Sequence, residues 1–207
     1  SKQIMISAHW DTRPWAENSS TIMRKNQPII GANDGASGVA VILELAKIMK
    51  KNPPPIGVSL VLFDAEDYGT SADSWSYAKG SQFFAQNIPI NYPMYAINLD
   101  MIADREPEFY IERYSYQQNP TLVLELWELA ESLNLDTFKK QAKYTIFDDH
   151  VPLYQMAGIP AIDIIDFDFP NEKTNYHHTH QDIVQNCSPK GLGEVGTLML
   201  NHIYNIK

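Results

Sequence analysis

A short apolar run that ends in a group of acidic residues occurs at residues 58–67, VSLVLFDAED. Its apolar part predicts a strand over Val58–Phe63. Glu66 and Asp67 follow this strand and point in different directions, so one carboxylate can bind a metal ion while the other stays free for proton transfer. A solvated acidic turn is the alternative. In an open α/β sheet, ligands bind outside the carboxyl ends of strands, where these acids would lie.

An apolar run that ends in a metal-type ligand or an acid-base residue occurs at four other places. Two of them follow the predicted strands Gln3–Ala8 and Tyr95–Leu99. The metal-type ligands and acids at the five places are His9, Asp11, Asp34, Glu66, Asp67, Asp100, His177, His178 and His180. Carboxylates and imidazoles gathered at one sheet edge are costly unless a cation lies among them. Imidazole with carboxylate, and without thiolate, suits Zn²⁺ in an open catalytic site. The sequence therefore predicts a zinc site.

The remaining pattern predicts an α/β fold. Strands are predicted at Ile4–Ala8, Val58–Phe63, Met94–Leu99, Phe109–Glu112 and Ile159–Ile165. Helical periodicity occurs at Val39–Met49, Leu122–Leu133 and Leu192–Ile206. This alternation predicts a three-layer sandwich, in which a mixed, mostly parallel sheet has helices on both faces. His202 lies on the apolar face of the last helix and is predicted to be structural. We expect one catalytic domain over residues 1–207.

Composition limits the classes of partner. The 207 residues carry a net charge of −9, which argues against nucleic acid, because phosphate binding needs a basic surface. No apolar stretch reaches the roughly 18 residues that are needed to span a bilayer. Cys187 is the only cysteine, so an intrachain disulfide is not available and the redox compartment stays open.

Several candidate residues also have simpler interpretations. Asp34 precedes a predicted helix, where Asp is a common N-cap, although the small residues on both sides of it favour a crowded metal ligand. His9 and Asp11 suit a ligand and the carboxylate that orients it, and Asp182 is a second group of the orienting kind. The histidines of residues 177–180 could form a surface cluster instead.

Seven segments carry a resemblance to known enzymes: residues 8–14, 31–38, 63–69, 75–76 with 80–82, 148–150, 158–165 and 178–182. They run from end to end of the chain. They resemble the zinc peptidase clan that includes di-zinc aminopeptidases and glutaminyl cyclases. Asp148-Asp149-His150 and the region of Trp75 are more similar to glutaminyl cyclases, particularly bacterial ones that are built like the animal enzyme.

The resemblance implies a zinc-aminopeptidase-like fold and one catalytic Zn²⁺ held by Asp34, Asp67 and His178. It implies that Glu66 is the catalytic proton shuttle. The residues of the supporting catalytic hydrogen-bond network would be Asp100 and Asp148.

The resemblance also implies a substrate pocket that Trp75 helps to wall. His177 stands where the animal enzymes usually carry Trp, and Asp163 stands where they carry His. We expect three loops to surround the site, at residues 12–28, 68–79 and 166–175. The predicted pocket residues are Trp75, His177 and Phe169.

The implied reaction is cyclisation of the N-terminal glutamine of a peptide or protein to pyroglutamate, with release of ammonia. The first alternative is a di-zinc aminopeptidase, in which His9 and Asp100 bind a second metal ion and Asp34 bridges the two. The second is a non-catalytic peptide-binding domain of the same fold. By resemblance, we also expect an extracytoplasmic location, periplasmic or secreted, and a family sequence that extends before residue 1.

Overall fold

A four-stranded parallel sheet forms the centre of the computed structural model, which describes residues 2–206 apart from the side chain of Met23. The strands lie in the order β2-β1-β3-β6. They span Gln3–His9 (β1), Gly57–Phe63 (β2), Ala96–Asp100 (β3) and Ala161–Ile165 (β6). The inner strand β1 is buried on both faces, because a parallel sheet is covered on both sides, and its sequence is correspondingly apolar.

Helices cover both faces of this sheet. The helices are α1 (Ala36–Lys51), α2 (Lys79–Gln86), α3 (Arg113–Gln118), α4 (Pro120–Ser132), α5 (His150–Ala157) and α6 (Pro189–Asn205). Ile4 and Ile6 pack with residues of α1, α4 and α6 in the larger core. On the other face, Met5 packs in a cluster with Phe84 of α2 and Leu153 of α5. The predicted three-layer sandwich is confirmed.

Four further strands among the described residues 2–206 lie outside the central sheet. They are β4 (Phe109–Ile111), β5 (Phe138–Ala142), β7 (Pro170–Asn171) and β8 (Thr174–Asn175). β4 pairs with β5 in parallel, and β7 with β8 antiparallel. The structure is therefore mostly parallel, with its antiparallel strand pairing in the β7–β8 hairpin.

The strand register brings the carboxyl ends of neighbouring strands together. His9 at the end of β1 pairs with Phe63 at the end of β2, and Ser7 pairs with Asn98 of β3. The residues that follow these strands therefore meet at one edge of the sheet. Within residues 2–206, no helix is both long and apolar enough to cross a membrane.

Candidate metal centre and substrate pocket

The three predicted zinc ligands lie side by side. Nε2 of His178 is 2.9 Å from Oδ1 of Asp67 and 3.7 Å from Oδ2 of Asp34. All three residues are buried. Oδ2 of Asp34 and Oδ2 of Asp67 have no hydrogen-bond partner among the described residues. The structure thus brings the trio together, and its role in binding metal stays a prediction.

Asp34 is held in a turn that leads into α1. The N-cap of this helix is Gly35, and no side chain caps it, so Asp34 is not the simple helix cap of the alternative interpretation. A Cβ atom on Gly35 would lie 2.4 Å from two ring atoms of His9, so only glycine allows this close approach. Asp182 accepts hydrogen bonds from the backbone N–H groups of Asn33 and Asp34 at 2.7 and 3.1 Å. Asp182 therefore supports the Asp34 turn.

Asp11 supports the second acidic turn. Its two carboxylate oxygens accept hydrogen bonds from the backbone N–H groups of Glu66 and Asp67, both at 3.1 Å. Its Oδ1 also lies 3.5 Å from Nδ1 of His9, the residue that we expected it to orient. Ala65, directly before these acids, has a φ of 54°, a left-handed conformation that surrounding structure must hold in place.

Glu66 and Asp67 are adjacent but lie in different electrostatic environments. Burial and the neighbouring Asp67 and Asp148 raise the pKa of Glu66 well above its usual range. Burial would also raise the pKa of Asp67, but the hydrogen bond to His178 lowers it overall. Glu66 also lines the cavity at this edge of the sheet. The pair therefore offers one ionised carboxylate beside one carboxyl group that can carry a proton.

His9 and Asp100 contact each other. Nε2 of His9 lies 3.0 Å from Oδ1 of Asp100 and 3.2 Å from Oδ1 of Asp34. Burial would lower the pKa of His9, but Asp100, followed by Asp11 and Asp34, raises it well above its usual range. The ligand atoms of His9, Asp34 and Asp100 also lie within 4.8 Å of one another, which a cation could bridge.

Asp148 belongs to a buried polar network behind the pocket. Ser7 donates through Oγ to Oδ1 of Asn98 at 2.9 Å, and Nδ2 of Asn98 donates to Oδ2 of Asp148 at 2.9 Å and to Oδ1 of Asp163 at 3.3 Å. Burial, ahead of the charge of Asp100, raises the pKa of Asp148 to about 6. The network connects the carboxylate at the pocket wall with the middle of the sheet.

A cavity of about 270 Å³ opens at the metal centre. Its walls combine acids with aromatic and aliphatic side chains: Asp34, Glu66, Asp67, Ser74, Tyr77, Asp100, Met101, Thr145, Ile146, Phe147, Asp148, Ile165, Phe167, His177 and His178. Two of the three predicted loops contribute to this lining, and the loop at residues 12–28 reaches His178 through Glu17. A mixed wall of this kind is typical of a small-ligand pocket.

The three predicted pocket residues lie in different surroundings. His177 lines the cavity as expected, stacked on His178 with ring centroids 3.6 Å apart. Trp75 does not line it; its ring packs edge-on against Phe147, in an adjacent groove. Phe169 is fully buried, packs against Tyr176, and belongs to an apolar cluster with Met101 and Ile165. Phe167 takes the place predicted for Phe169.

The support behind His178 was not predicted from the sequence. Glu17 accepts from Nδ1 of His178 at 3.1 Å, and the guanidinium of Arg13 holds the same carboxylate. Burial would raise the pKa of Glu17, but the hydrogen bond from Arg13 lowers it overall. An Arg–Glu pair four residues apart was the only local signal, and such pairs are common on surfaces.

The residues present fit a bound zinc ion. Two carboxylates and one imidazole supply three protein ligands, the number typical of a catalytic zinc site with one open position. Burial and the nearby Asp67 raise the pKa of Asp34 well above its usual range, which marks excess buried negative charge. A cation among the unpartnered oxygens of Asp34 and Asp67 would relieve that cost.

The sequence matches the profile of peptidase family M28 over residues 1–203. The chain belongs to peptidase family M28. The M28 chain is also similar to solved structures of bacterial glutaminyl cyclases, so the resemblance seen in the sequence is confirmed.

Some proteins similar to this M28 chain are named glutaminyl cyclases, and others are named aminopeptidases. The glutaminyl cyclase of Bacteroides thetaiotaomicron bound to N-acetylhistamine is 35% identical, with a TM-score of 0.95 over 100% of this chain and 74% of that chain. A leucine aminopeptidase precursor from Bacteroides thetaiotaomicron VPI-5482 is also 35% identical, with a TM-score of 0.94 over 100% of this chain and 73% of that chain. Aminopeptidase YwaD of Bacillus subtilis is 26% identical over 97% of this chain, which spans only 40% of YwaD.

Proposed function

We propose that this M28 chain is a zinc-dependent glutaminyl cyclase. It would convert the N-terminal glutamine of a peptide or protein to pyroglutamate and release ammonia. The observation that carries this proposal is the similarity of almost the whole chain to bacterial glutaminyl cyclases, with 32–36% identity and TM-scores of 0.88–0.95. The contact of His9 with Asp100 at 3.0 Å fits a one-metal site, in which these two side chains bind each other.

The proposed reaction divides the work between the metal centre and Glu66. A zinc ion held by Asp34, Asp67 and His178 would polarise the side-chain amide carbonyl of the substrate as a Lewis acid. The α-amine nitrogen of the substrate attacks the amide carbon, and the bond from that carbon to the amide nitrogen breaks. Glu66 accepts a proton from the attacking nitrogen and donates one to the leaving nitrogen. The products are a pyroglutamyl peptide and ammonia, so atoms and protons balance.

The pocket residues would orient the substrate for this step. Glu66 and Asp148 both line the cavity, where their oxygens can accept hydrogen bonds from the amine and amide N–H groups of a terminal glutamine. Phe147 and Phe167 supply apolar walls that exclude water around them. Binding in a folded pose brings amine and amide together and contributes the proximity effect.

A di-zinc aminopeptidase remains the second candidate. The ligand atoms of His9, Asp34 and Asp100 lie within 4.8 Å of one another, as two-metal binding would need. Similar proteins with aminopeptidase names also favour it. A non-catalytic peptide-binding domain is the third. The extracytoplasmic location is part of the cyclase proposal and rests on the resemblance alone.

One assay distinguishes these functions. Zinc-loaded protein is incubated with a Gln-peptide and with a Leu-peptide, and ammonia and free amino acid are measured separately. We expect ammonia from the Gln-peptide and no free leucine. Release of leucine would indicate the aminopeptidase, and peptide binding without either product would indicate the binding domain.

Metal stoichiometry provides an independent test. A cyclase should hold about one zinc ion per chain, whereas a di-zinc aminopeptidase should hold two. Elemental analysis after exhaustive dialysis measures the number. His9→Gln should leave a single tightly held zinc unchanged; loss of a second zinc ion in this variant would contradict the proposal.

A further inference from the structure

Glu17 connects the two sides of the metal centre. Its Oε1 accepts from Nδ1 of His178 at 3.1 Å, on the edge of the ring opposite to the one that faces Asp67. Arg13 donates to the same carboxylate through Nε at 2.9 Å and Nη2 at 2.6 Å. Through Nη1, Arg13 also donates to the backbone carbonyls of Asp67 and Gly69. A continuous chain of hydrogen bonds therefore runs from the back of His178 to the backbone of Asp67.

The side chain of Arg13 is buried and its guanidinium is held by several contacts. Only 2% of its surface is exposed, and its guanidinium carbon lies 4.6 Å from the ring centre of Trp15 and 5.4 Å from that of Tyr77. A buried guanidinium is stable only when its donors are satisfied, and here one carboxylate and two carbonyls accept from them. Glu17 is held by this anchor although its own side chain stays 36% exposed.

The backbone of His178 needs such support. Its φ of 55° is left-handed, which a non-glycine residue keeps only where the surrounding structure holds it. A histidine that binds metal usually donates its other ring N–H to a carboxylate, which fixes the tautomer and the ring orientation and raises the basicity of the ligand nitrogen.

We propose that Glu17 is a positioning residue for the metal centre. Together with Arg13, it holds the ring of His178 so that Nε2 faces Asp34 and Asp67. The inference rests on the metal centre of the proposed function but is independent of which reaction that centre performs. It predicts that zinc affinity depends on a residue that does not touch the ion.

The test measures zinc affinity by competition with a chromophoric chelator. Glu17→Ala should weaken zinc binding by about 10- to 100-fold, the usual loss for such outer partners. Glu17→Gln, which keeps the shape and removes the charge, should lie between this variant and the wild type. The matched control is Glu44→Gln, since Glu44 forms an exposed pair with Lys47 on α1. Thermal unfolding of the metal-free proteins reports whether each variant folds.

A second set of variants, made in a protein without the His178 ring, separates a positioning role of Glu17 from a general effect of its removal on the structure. In a His178→Ala protein, adding Glu17→Ala should cause no further loss of zinc affinity, because the ring that Glu17 orients is absent. An equal loss in both backgrounds, or wild-type affinity in Glu17→Ala, would overturn the inference. Zinc loss in Glu17→Ala without ammonia release by the wild type would support the inference and reject the cyclase. A wild type that binds no zinc would overturn both.

Discussion

Nε2 of His178 lies 2.9 Å from Oδ1 of Asp67, although 111 positions separate the two residues in the chain. His178 belongs to an irregular segment before α6, and Asp67 to the turn after β2. Each residue is held by its own carboxylate neighbour. Glu17 accepts a hydrogen bond from Nδ1 of His178, and Asp11 accepts one from the backbone N–H of Asp67. The metal centre is therefore assembled from loops that the sheet edge holds in place.

The division of roles within the Glu66–Asp67 pair can be tested with isosteric variants. Glu66→Gln removes the proton-transfer group, and general acid–base catalysis is typically worth about 10²–10⁴-fold, so cyclisation should fall by that order while zinc content stays normal. Asp67→Asn should lose zinc, because Asp67 is a predicted zinc ligand and an amide oxygen binds the ion less strongly than a carboxylate. Zinc content and ammonia release are measured for both. Full activity in Glu66→Gln would contradict the assignment.

Phe167 and Phe169 should respond differently to truncation. Phe167 lines the cavity, so Phe167→Ala should raise KM for the Gln-peptide with little loss of stability. Phe169 is fully buried, so Phe169→Ala should destabilise the fold by about 3–5 kcal/mol. Urea unfolding and steady-state kinetics of both variants check this. A raised KM at unchanged stability in Phe169→Ala would instead place Phe169 in the pocket wall.

Gly35 and Gly193 form a matched pair of glycines. A Cβ on Gly35 would lie 2.4 Å from the His9 ring, so Gly35→Ala should destabilise by about 1–3 kcal/mol and weaken zinc binding through displacement of the Asp34 turn. Gly193 lies inside α6, and a Cβ added there would have nothing within 4 Å, so Gly193→Ala should stabilise by about 0.5–1 kcal/mol. Denaturant unfolding measures both, and equal effects of the two substitutions would refute the steric explanation.

His202 should make stability depend on pH. Burial lowers the pKa of His202 to about 4, and the Tyr95 hydroxyl, 2.7 Å from Nε2, can donate to the neutral ring. The unfolded chain takes up a proton near pH 6.5, whereas the folded chain does so only near pH 4. The stabilising contribution of neutral His202 to the free energy of unfolding is therefore fully present above pH 6.5. It declines as the pH falls to 4, by at most about 3 kcal/mol.

The measurement for His202 is a difference between two proteins. His202→Gln removes the titrating group, and other ionisable residues are common to both chains. The free energy of unfolding of the wild type, minus that of His202→Gln, should decrease between pH 6.5 and 4 in urea titrations. A difference that does not change with pH would show that His202 is already charged, or already exposed, in the folded protein.

Much of the fold could be predicted from local pattern. The helices α1, α4 and α6 span 16, 13 and 17 residues, long enough for a clear apolar periodicity, and the four central strands lie where apolar runs occur. The short helices α2 and α3, of 8 and 6 residues, offer too few turns for such a period to be recognised. For α5, the only local signal of its start is the pair of acids before it.

Local sequence pattern predicts the types of side chain at the site, because acids and histidines that follow strands meet where the carboxyl ends of parallel strands lie side by side. The packing of the loops in three dimensions sets which of their side chains reach that edge. Glu17 supports His178 across 161 positions of sequence, and Phe167 rather than Phe169 faces the pocket. The Arg13–Glu17 pair shows only that these two side chains can meet, and no local pattern shows which of the two phenylalanines faces the pocket. The path of a loop depends on the surfaces it packs against and not on a repeating backbone geometry.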